Sequence, residues 1–397
     1  MKAVLVFLLL IILWLVFDFI LGKRKHLRLV GYRETPILHG NLDIFPHGKK
    51  LFADYFNEIS AAQKHIHILF YIVKDDAISH QFLDLLKEKA REGIEVRLLL
   101  DRLGSKKVSR QMVSALRAAG VRFAFSNHIK FPYLFYSTQV RNHRKISIID
   151  GKIGYLGGFN IGKEYIDEDP KLSPWRDYHL KMTGEGVSFL QSEFLLDWKE
   201  YGQEDLFADP RYFPNGPKGS IRHQLIPTEV GHLEKKFIDL IQKATDSIII
   251  GTPYFIPSRK LFEELISAAR LGISITVIVP YTADHPLVKE ASFPFLRRLM
   301  REGGKVYQFN NGFYHAKTIV IDDKICDIGT ANFDQRSLFL NKEINCYIYD
   351  LDFIARFKEI LQKDIHDSKP LILADLDKPN LFRSVKESIA SAISYFL

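Results

Sequence analysis

Two stretches of the chain carry the same reactive side chains at the same spacing. Each contains the pattern H-x-K-x-x-x-x-D, and an asparagine follows ten residues after the aspartate. The positions are His143, Lys145, Asp150 and Asn160 in the first copy and His315, Lys317, Asp322 and Asn332 in the second. All four pairs are separated by the same 172 residues, so no insertion distinguishes the two copies. A single match would be weak evidence, but two matches in register inside a repeat make coincidence improbable.

Two histidines and two lysines in one pocket would suit chemistry on a phosphodiester. A neutral imidazole can attack phosphorus, and a second imidazole can protonate the leaving alkoxide and then deprotonate the incoming alcohol. Two ammonium groups would stabilise the additional negative charge of a five-coordinate transition state. Because the lysines supply positive charge, we expect neither a metal nor another cofactor. The alternative is that both histidines only support the ends of strands.

The spacing within each motif is typical of extended backbone. Residues i and i+2 of a strand point to the same face, so His143 and Lys145 should project together, as should His315 and Lys317. An apolar run follows each motif lysine and predicts a buried strand. Two such strands side by side would place both histidines and both lysines in one pocket.

The motifs complete two longer repeats of strand and helix. Residues 64–126 and 246–310 each read as a β run, a helix, a β run, a second helix and a third β run. This alternation predicts an α/β fold with a largely parallel or mixed sheet. The Pro- and Gly-rich segment 203–222 is the expected boundary, which gives halves at residues 23–205 and 220–370.

The N-terminal segment predicts a membrane anchor at residues 1–22. Eighteen of the nineteen residues 3–21 are apolar, Asp18 being the exception. A helix of this length spans roughly 28 Å, close to the ~30 Å hydrocarbon core of a bilayer. The basic cluster that follows, from Lys23 to Arg28, places the rest of the chain in the cytoplasm, as a single-pass protein of the cell membrane. The alternative is a cleaved signal peptide, although the apolar run is longer than usual for one.

Composition restricts the partners. Lys and Arg outnumber Asp and Glu by 55 to 47, and this net charge of +8 predicts nucleic acid or an anionic membrane surface as partner. Because much of the basic surplus lies beside the anchor, we expect anionic lipids rather than nucleic acid. The two cysteines exclude a disulfide scaffold and a cysteine-built zinc site. The amphipathic tail, residues 371–397, could lie on the membrane or pack back onto the domain.

The paired motifs resemble the HKD motifs of the phospholipase D superfamily. This resemblance implies two similar α/β halves related by a pseudo-twofold axis, one shared active site and a phosphohistidine intermediate. It also implies a carboxylate that orients each histidine, for which Glu343 and Asp177 are the matching residues. The motif aspartates would support the fold rather than the chemistry. The hydroxyl two residues before the asparagine is Thr330 in the second copy, but the first copy has Gly158 there, so the half-sites are not equivalent.

Within the superfamily the motifs are most similar to those of bacterial cardiolipin synthases. The similarity implies transfer of a phosphatidyl group from one phosphatidylglycerol to another, with release of glycerol, and it implies His143 as nucleophile and His315 as acid and then base. A hydrolytic phospholipase D and a phosphatidylserine synthase-like transferase would use the same chemistry. An HKD nuclease and a non-catalytic membrane scaffold are the alternatives from other classes. The membrane anchor argues against a nuclease, and the two complete motifs argue against a scaffold.

Overall fold

A computed structural model describes residues 1–29, 31, 35–216 and 218–397. The elements of the first half are α1 Lys2–Leu29, β1 Leu38–His47, α2 Gly48–Ala61, β2 His65–Phe70, α3 Ala77–Arg91, β3 Glu95–Asp101, α4 Arg110–Ala118, β4 Arg122–Ser126, α5 Leu134–Gln139, β5 Ile146–Ile149, β6 Ile153–Gly157, β7 Trp175–Gly184 and α6 Glu185–Tyr201.

The second half begins at Ile221, near the end of the Pro- and Gly-rich segment 203–222. Its elements are β8 Ile221–Thr228, α7 Leu233–Ile241, β9 Ser247–Gly251, α8 Arg259–Arg270, β10 Ser274–Pro280, α9 Val288–Arg301, β11 Lys305–Phe309, β12 Phe313–Tyr314, β13 Thr318–Ile321, β14 Ile325–Gly329, α10 Gln335–Phe339, β15 Glu343–Ile348, α11 Leu351–His366, β16 Ser368–Pro370, α12 Leu373–Asp377 and α13 Leu381–Ile393.

The strands of both halves join into one mixed sheet. Its order is β16-β11-β10-β9-β13-β14-β15-β8-β1-β7-β6-β5-β2-β3-β4, with β12 beside β7. In each half, three parallel strands (β2, β3, β4 and β9, β10, β11) carry the predicted strand–helix repeat. The strands at the centre are antiparallel, and β8 of the second half pairs with β1 of the first. The chain therefore contains two similar α/β halves in one continuous sheet.

The repeated helices begin in the same way in both halves. The side chain of Asp76 accepts the backbone N–H of Ser79 before α3, and the side chain of Ser258 accepts that of Leu261 before α8. Such caps satisfy backbone donors that the first turn of a helix leaves unpaired. Both helices place an apolar face against the parallel strands, as their sequence pattern predicts.

The two motif strands are not neighbours, which corrects the expectation that they lie side by side. Six strands separate β5 from β13 in the sheet. Each histidine and lysine precedes its strand, in a segment that leaves its own half and runs along the other. The strand β12, for example, pairs with β7 of the first half. Convergence of the motifs therefore comes from these crossing segments and not from the motif strands.

Helix α1 is longer than the predicted anchor and continues through the basic cluster to Leu29. Lys and Arg are good helix formers, so the cluster extends the helix rather than ending it. The side chains up to Phe17 are mostly exposed, whereas Asp18 and Gly22 are buried against α5. By length and apolar composition α1 could cross a membrane. The end of α1 docks on the folded domain.

The C-terminal helix α13 packs onto the second half and leaves an apolar face open. Glu387 accepts a hydrogen bond from Arg297 of α9 (3.0 Å), and Ala390 is fully buried. Leu381 and Val385 are exposed on the opposite side. The two alternatives for the tail therefore do not exclude each other, since one face contacts the domain while the other remains available.

Candidate active site

His143 lies where the first half crosses onto the second. Its backbone N–H donates to the carbonyl of Lys342, at a distance of 2.9 Å. Its Nδ1 atom lies 3.0 and 2.9 Å from the two carboxylate oxygens of Glu343. A carboxylate at Nδ1 favours the proton there, which leaves the lone pair of Nε2 available to a substrate.

His315 makes the reciprocal crossing. Its backbone N–H donates to the carbonyl of Arg176 (2.7 Å), and its Nδ1 lies 2.7 Å from Oδ2 of Asp177. Sequence reasoning found both carboxylates, one in each copy, but the structure exchanges them between the halves. Each histidine is oriented by a carboxylate from the opposite half, so neither half contains a complete site.

Both motif lysines are fully buried beside the histidines. Nζ of Lys145 donates to the carbonyl of His143 (2.8 Å), and Nζ of Lys317 donates to Oδ2 of Asp177 (3.3 Å). Burial lowers the pKa of Lys145 to about 7, and it also lowers the pKa of Lys317, although Glu343 and Asp177 act in the opposite direction. Both lysines are therefore buried beside the histidines, and neither is among the residues that line the cavity between the histidines.

Burial also lowers the pKa of each histidine. For His315 the result is about 4, with the neighbouring Lys317 adding to the effect of burial and Asp177 opposing it. The pKa of His143 is lowered by burial and by Lys145, while Glu343 raises it. Burial alone would raise the pKa of both carboxyl groups. Lys317 and the hydrogen bond to His315 lower the pKa of Asp177. The contact with His143, followed by Lys145, lowers the pKa of Glu343, so both carboxyl groups remain ionised. Without substrate, both imidazoles are neutral near pH 7.

Both histidines line one cavity of about 500 Å³. Both motif asparagines line it as well. Other wall residues are Tyr71, Tyr165, Trp175, Tyr254, Arg141 and Arg336. A cavity of this size is within the usual range for small-molecule sites. It is large enough for a phosphodiester with its two adjoining alcohol groups.

The two asparagines of the cavity differ in whether their side chains have an atom that is free to bind substrate. The side chain of Asn160 is engaged at both ends, because Oδ1 accepts the backbone N–H of Ile72 and Nδ2 donates to the hydroxyl of Tyr165 (both 3.1 Å). Nδ2 of Asn332 donates to Asp334, whereas its Oδ1 is buried and has no hydrogen-bond partner among the described residues. A buried acceptor without a partner is costly, so this atom is suited to a substrate hydroxyl.

The difference between Thr330 and Gly158 has a steric cause. The hydroxyl of Thr330 donates to Oε2 of Glu343 (2.6 Å) and so helps to fix the carboxylate that holds His143. A Cβ atom at Gly158 would lie 2.0 Å from Oδ1 of Asp177. A hydroxyl side chain at that position would therefore clash with the carboxylate of the other half-site.

The motif aspartates lie in turns, away from the cavity. The carboxylate of Asp150 accepts the backbone N–H groups of residues 63–65, just before β2. Asp322 accepts those of residues 245–247, just before β9. Both have positive φ angles (55° and 51°), which aspartate tolerates better than most residues. Their geometry is that of turn supports, in line with what the family resemblance implies.

Comparison with known proteins agrees with this geometry. The family model described as "Cardiolipin synthase, PLD-like domain" matches residues 55–170 and 237–365, which together are more than half of the chain. The chain belongs to this family. Its halves and its paired motifs are therefore those of the phospholipase D superfamily.

Relatives in the family match over most or all of their length. The minor cardiolipin synthase ClsB of Bacillus subtilis (strain 168) is 37% identical and aligns over 100% of both chains. The major cardiolipin synthase ClsA of the same organism is 36% identical over 90% of this chain and 75% of its own length. Among solved structures, the phosphatidylserine synthase of Haemophilus influenzae Rd KW20 has a TM-score of 0.73 over 95% of this chain and 100% of that one. At 15% identity, that likeness shows the shared fold alone.

A buried hydrogen-bond network around Asp197 was not predicted from the sequence. Asp197 of α6 accepts hydrogen bonds from Asn142 (2.9 Å), Arg144 (3.3 Å) and Lys342 (3.1 Å). The network joins the residues on either side of His143 to the residue before Glu343, so it positions both members of that half-site. Arg144 and Lys342 each lie beside an apolar stretch of sequence, and this pattern could have indicated buried cations with an acidic partner. Asp197 itself has no pattern in the sequence that distinguishes it from other acidic residues.

Proposed function

We propose that this chain acts as a cardiolipin synthase, which transfers the phosphatidyl group of one phosphatidylglycerol to a second one and releases glycerol. The observation that carries the proposal is the reciprocal pair of half-sites, in which two buried histidines face one cavity and each is held by a carboxylate from the opposite half. Membership of the family, and similarity over the full length to a named cardiolipin synthase, support the same reaction.

The first step forms a phosphohistidine. Nε2 of His143 attacks the phosphorus of the donor, a P–N bond forms and the P–O bond to glycerol breaks. In the complex, the anionic phosphodiester favours the protonated form of His315, and His315 then gives this proton to the departing glycerol oxygen. Lys145 and Lys317 stabilise the charge that builds up on the non-bridging oxygens. His143 is favoured as nucleophile because both oxygens of Glu343 hold its Nδ1, whereas Asp177 is shared between His315 and Lys317.

The second step releases the product. A hydroxyl of the acceptor phosphatidylglycerol gives its proton to His315, and its oxygen attacks phosphorus while the P–N bond breaks. The unpartnered Oδ1 of Asn332 is suited to accept a hydrogen bond from a glycerol hydroxyl in either step. Two molecules of phosphatidylglycerol become one cardiolipin and one glycerol, so no further reactant is consumed.

The anchor would hold this chemistry at a membrane. Residues 3–21 of α1 would cross the bilayer once, and the basic cluster after them would keep the catalytic halves on the cytoplasmic side. The substrate, phosphatidylglycerol, and the surrounding anionic lipids are then available in the membrane where the anchor lies. The basic cluster would also attract those lipids.

The test is to give purified full-length protein labelled phosphatidylglycerol in mixed micelles with EDTA present. We expect cardiolipin and glycerol in equal amounts. Phosphatidic acid alone would contradict the synthase in favour of hydrolysis, and loss of activity in EDTA would contradict the metal-free mechanism. If serine is added and phosphatidylserine forms in preference to cardiolipin, the chain would instead be a phosphatidylserine synthase-like transferase. His366→Ala, at an exposed position, is the matched control for alanine variants of the two motif histidines.

A further inference from the structure

The anchor helix docks on the domain within its own apolar stretch. Oδ1 of Asp18 accepts the backbone N–H of Tyr136 in α5 (2.7 Å). The ring of Phe19 lies 6.1 Å from that of Phe135 and 5.3 Å from that of Phe396. Because Asp18 and Phe19 belong to the membrane-spanning segment, their contacts in α5 and near the C-terminus must lie at the depth of the lipid headgroups.

A groove runs along α1 beside this aromatic contact. It has a volume of about 590 Å³, and its apolar wall includes Phe19, Ile20 and Leu27. Arg24 and Arg28 form a basic rim on the same side. An apolar floor with cationic groups at its edge matches a phospholipid, whose acyl chains are apolar and whose phosphate is anionic.

Phe396 lines both this groove and the catalytic cavity. Its ring lines the groove on one side, and the same residue lines the cavity that contains His143 and His315. Its backbone carbonyl accepts a hydrogen bond from Arg336 of the second half (3.2 Å), and the adjacent Tyr395 accepts one from Lys23 of α1 (2.7 Å). The segment is therefore fixed between the anchor and the mouth of the site.

We propose that the groove between α1 and Phe396 is the route by which the lipid substrate passes from the bilayer to the histidines, with its acyl chains held in the groove. The proposal rests on the proposed function and adds where the diacyl part of the substrate lies. The groove begins at headgroup depth and shares the residue Phe396 with the catalytic cavity. The lipid can therefore present its phosphate to His143 while its acyl chains stay in apolar surroundings.

The test compares two substrates in the full-length protein carrying Phe396→Asp. One is long-chain phosphatidylglycerol in mixed micelles, and the other is a short-chain phosphatidylglycerol kept below its micelle concentration. A carboxylate in the acyl path should lower the ratio of kcat/KM for long over short chains by about tenfold or more, mainly through KM, because ionised groups are costly in apolar lipid surroundings. Phe396→Leu should preserve the ratio. Leu271→Asp, at a distant exposed position, is the matched control for a new surface carboxylate.

Equal losses on both substrates, or an unchanged ratio in Phe396→Asp, would overturn the route. A second measurement does not depend on turnover: phosphatidylglycerol with a photoreactive acyl chain should label the peptide that contains Phe396 in wild-type protein. Labelling confined to residues 3–17 would contradict the proposal. Wild-type protein that makes no cardiolipin from either lipid, yet is labelled at Phe396, would contradict the proposed function and leave the route as a lipid-binding groove.

Discussion

At the scale of single residues, the two histidines have different surroundings, so their replacement should block different steps of the reaction. We expect His143→Ala and His315→Ala each to abolish phosphatidyl transfer. Only His315→Ala should form a covalent adduct, slowly, because His143 remains able to attack but the leaving alkoxide lacks its acid. Intact-protein mass spectrometry after incubation with phosphatidylglycerol measures the adduct. An adduct on His143→Ala would reverse the assignment of nucleophile and acid.

The buried cations predict how activity depends on pH. In the free enzyme, burial lowers the pKa of His315 to about 4 and that of Lys145 to about 7, so both lose their protons as the pH rises. A bound phosphodiester anion favours the charged forms and raises both pKa values. The pH dependence of kcat/KM reports the pKa values of the free enzyme, and that of kcat reports those of the enzyme–substrate complex. The fall in kcat on the alkaline side should therefore occur at higher pH than the fall in kcat/KM. Coincident limbs would show that the substrate anion does not contact these groups.

At the scale of elements, the motif aspartates should prove important for stability rather than for chemistry. Asp322 accepts three backbone N–H groups before β9, and Asp322→Asn keeps the side chain's tolerance of positive φ while removing its charge. We expect a loss of about 1–3 kcal/mol in the free energy of unfolding, measured by thermal or denaturant unfolding, with kcat retained in folded protein. Asp323→Asn, on the same turn but exposed, should change stability little. Loss of kcat in fully folded Asp322→Asn would assign the aspartate to the chemistry.

Local patterns predicted the elements well, because they depend on neighbours in the sequence. The strand–helix repeat, the paired motifs and both orienting carboxylates followed from spacing or from family resemblance. The exchange of Glu343 and Asp177 between the half-sites did not, because it depends on segments that leave one half and cross to the other. Asp197 was missed for a similar reason, since its partners Arg144 and Lys342 come from different halves.

At the scale of the whole molecule, the two halves are one folding and catalytic unit. The sheet is continuous across β8 and β1, and a single apolar cluster includes Leu156 and Leu180 from the first half with Ile328 and Ile344 from the second. Because the carboxylate partner of each histidine lies in the other half, relative movement of the halves would break both half-sites together. The sequence repeat alone would also be compatible with two separate sites. The geometry instead gives one.

This arrangement predicts that inactive variants cannot rescue each other. In a mixture of full-length His143→Ala and His315→Ala, neither chain contains both histidines, and a site made from one chain has no access to the missing imidazole of another. We expect the mixture to produce no more cardiolipin from labelled phosphatidylglycerol than either variant alone. Wild-type protein diluted to the same total concentration with His143→Ala should keep activity in proportion to its share. Recovery of transfer on mixing would mean that halves of two chains build the site together, which the paired contacts of His143 with Glu343 and His315 with Asp177 inside one chain argue against.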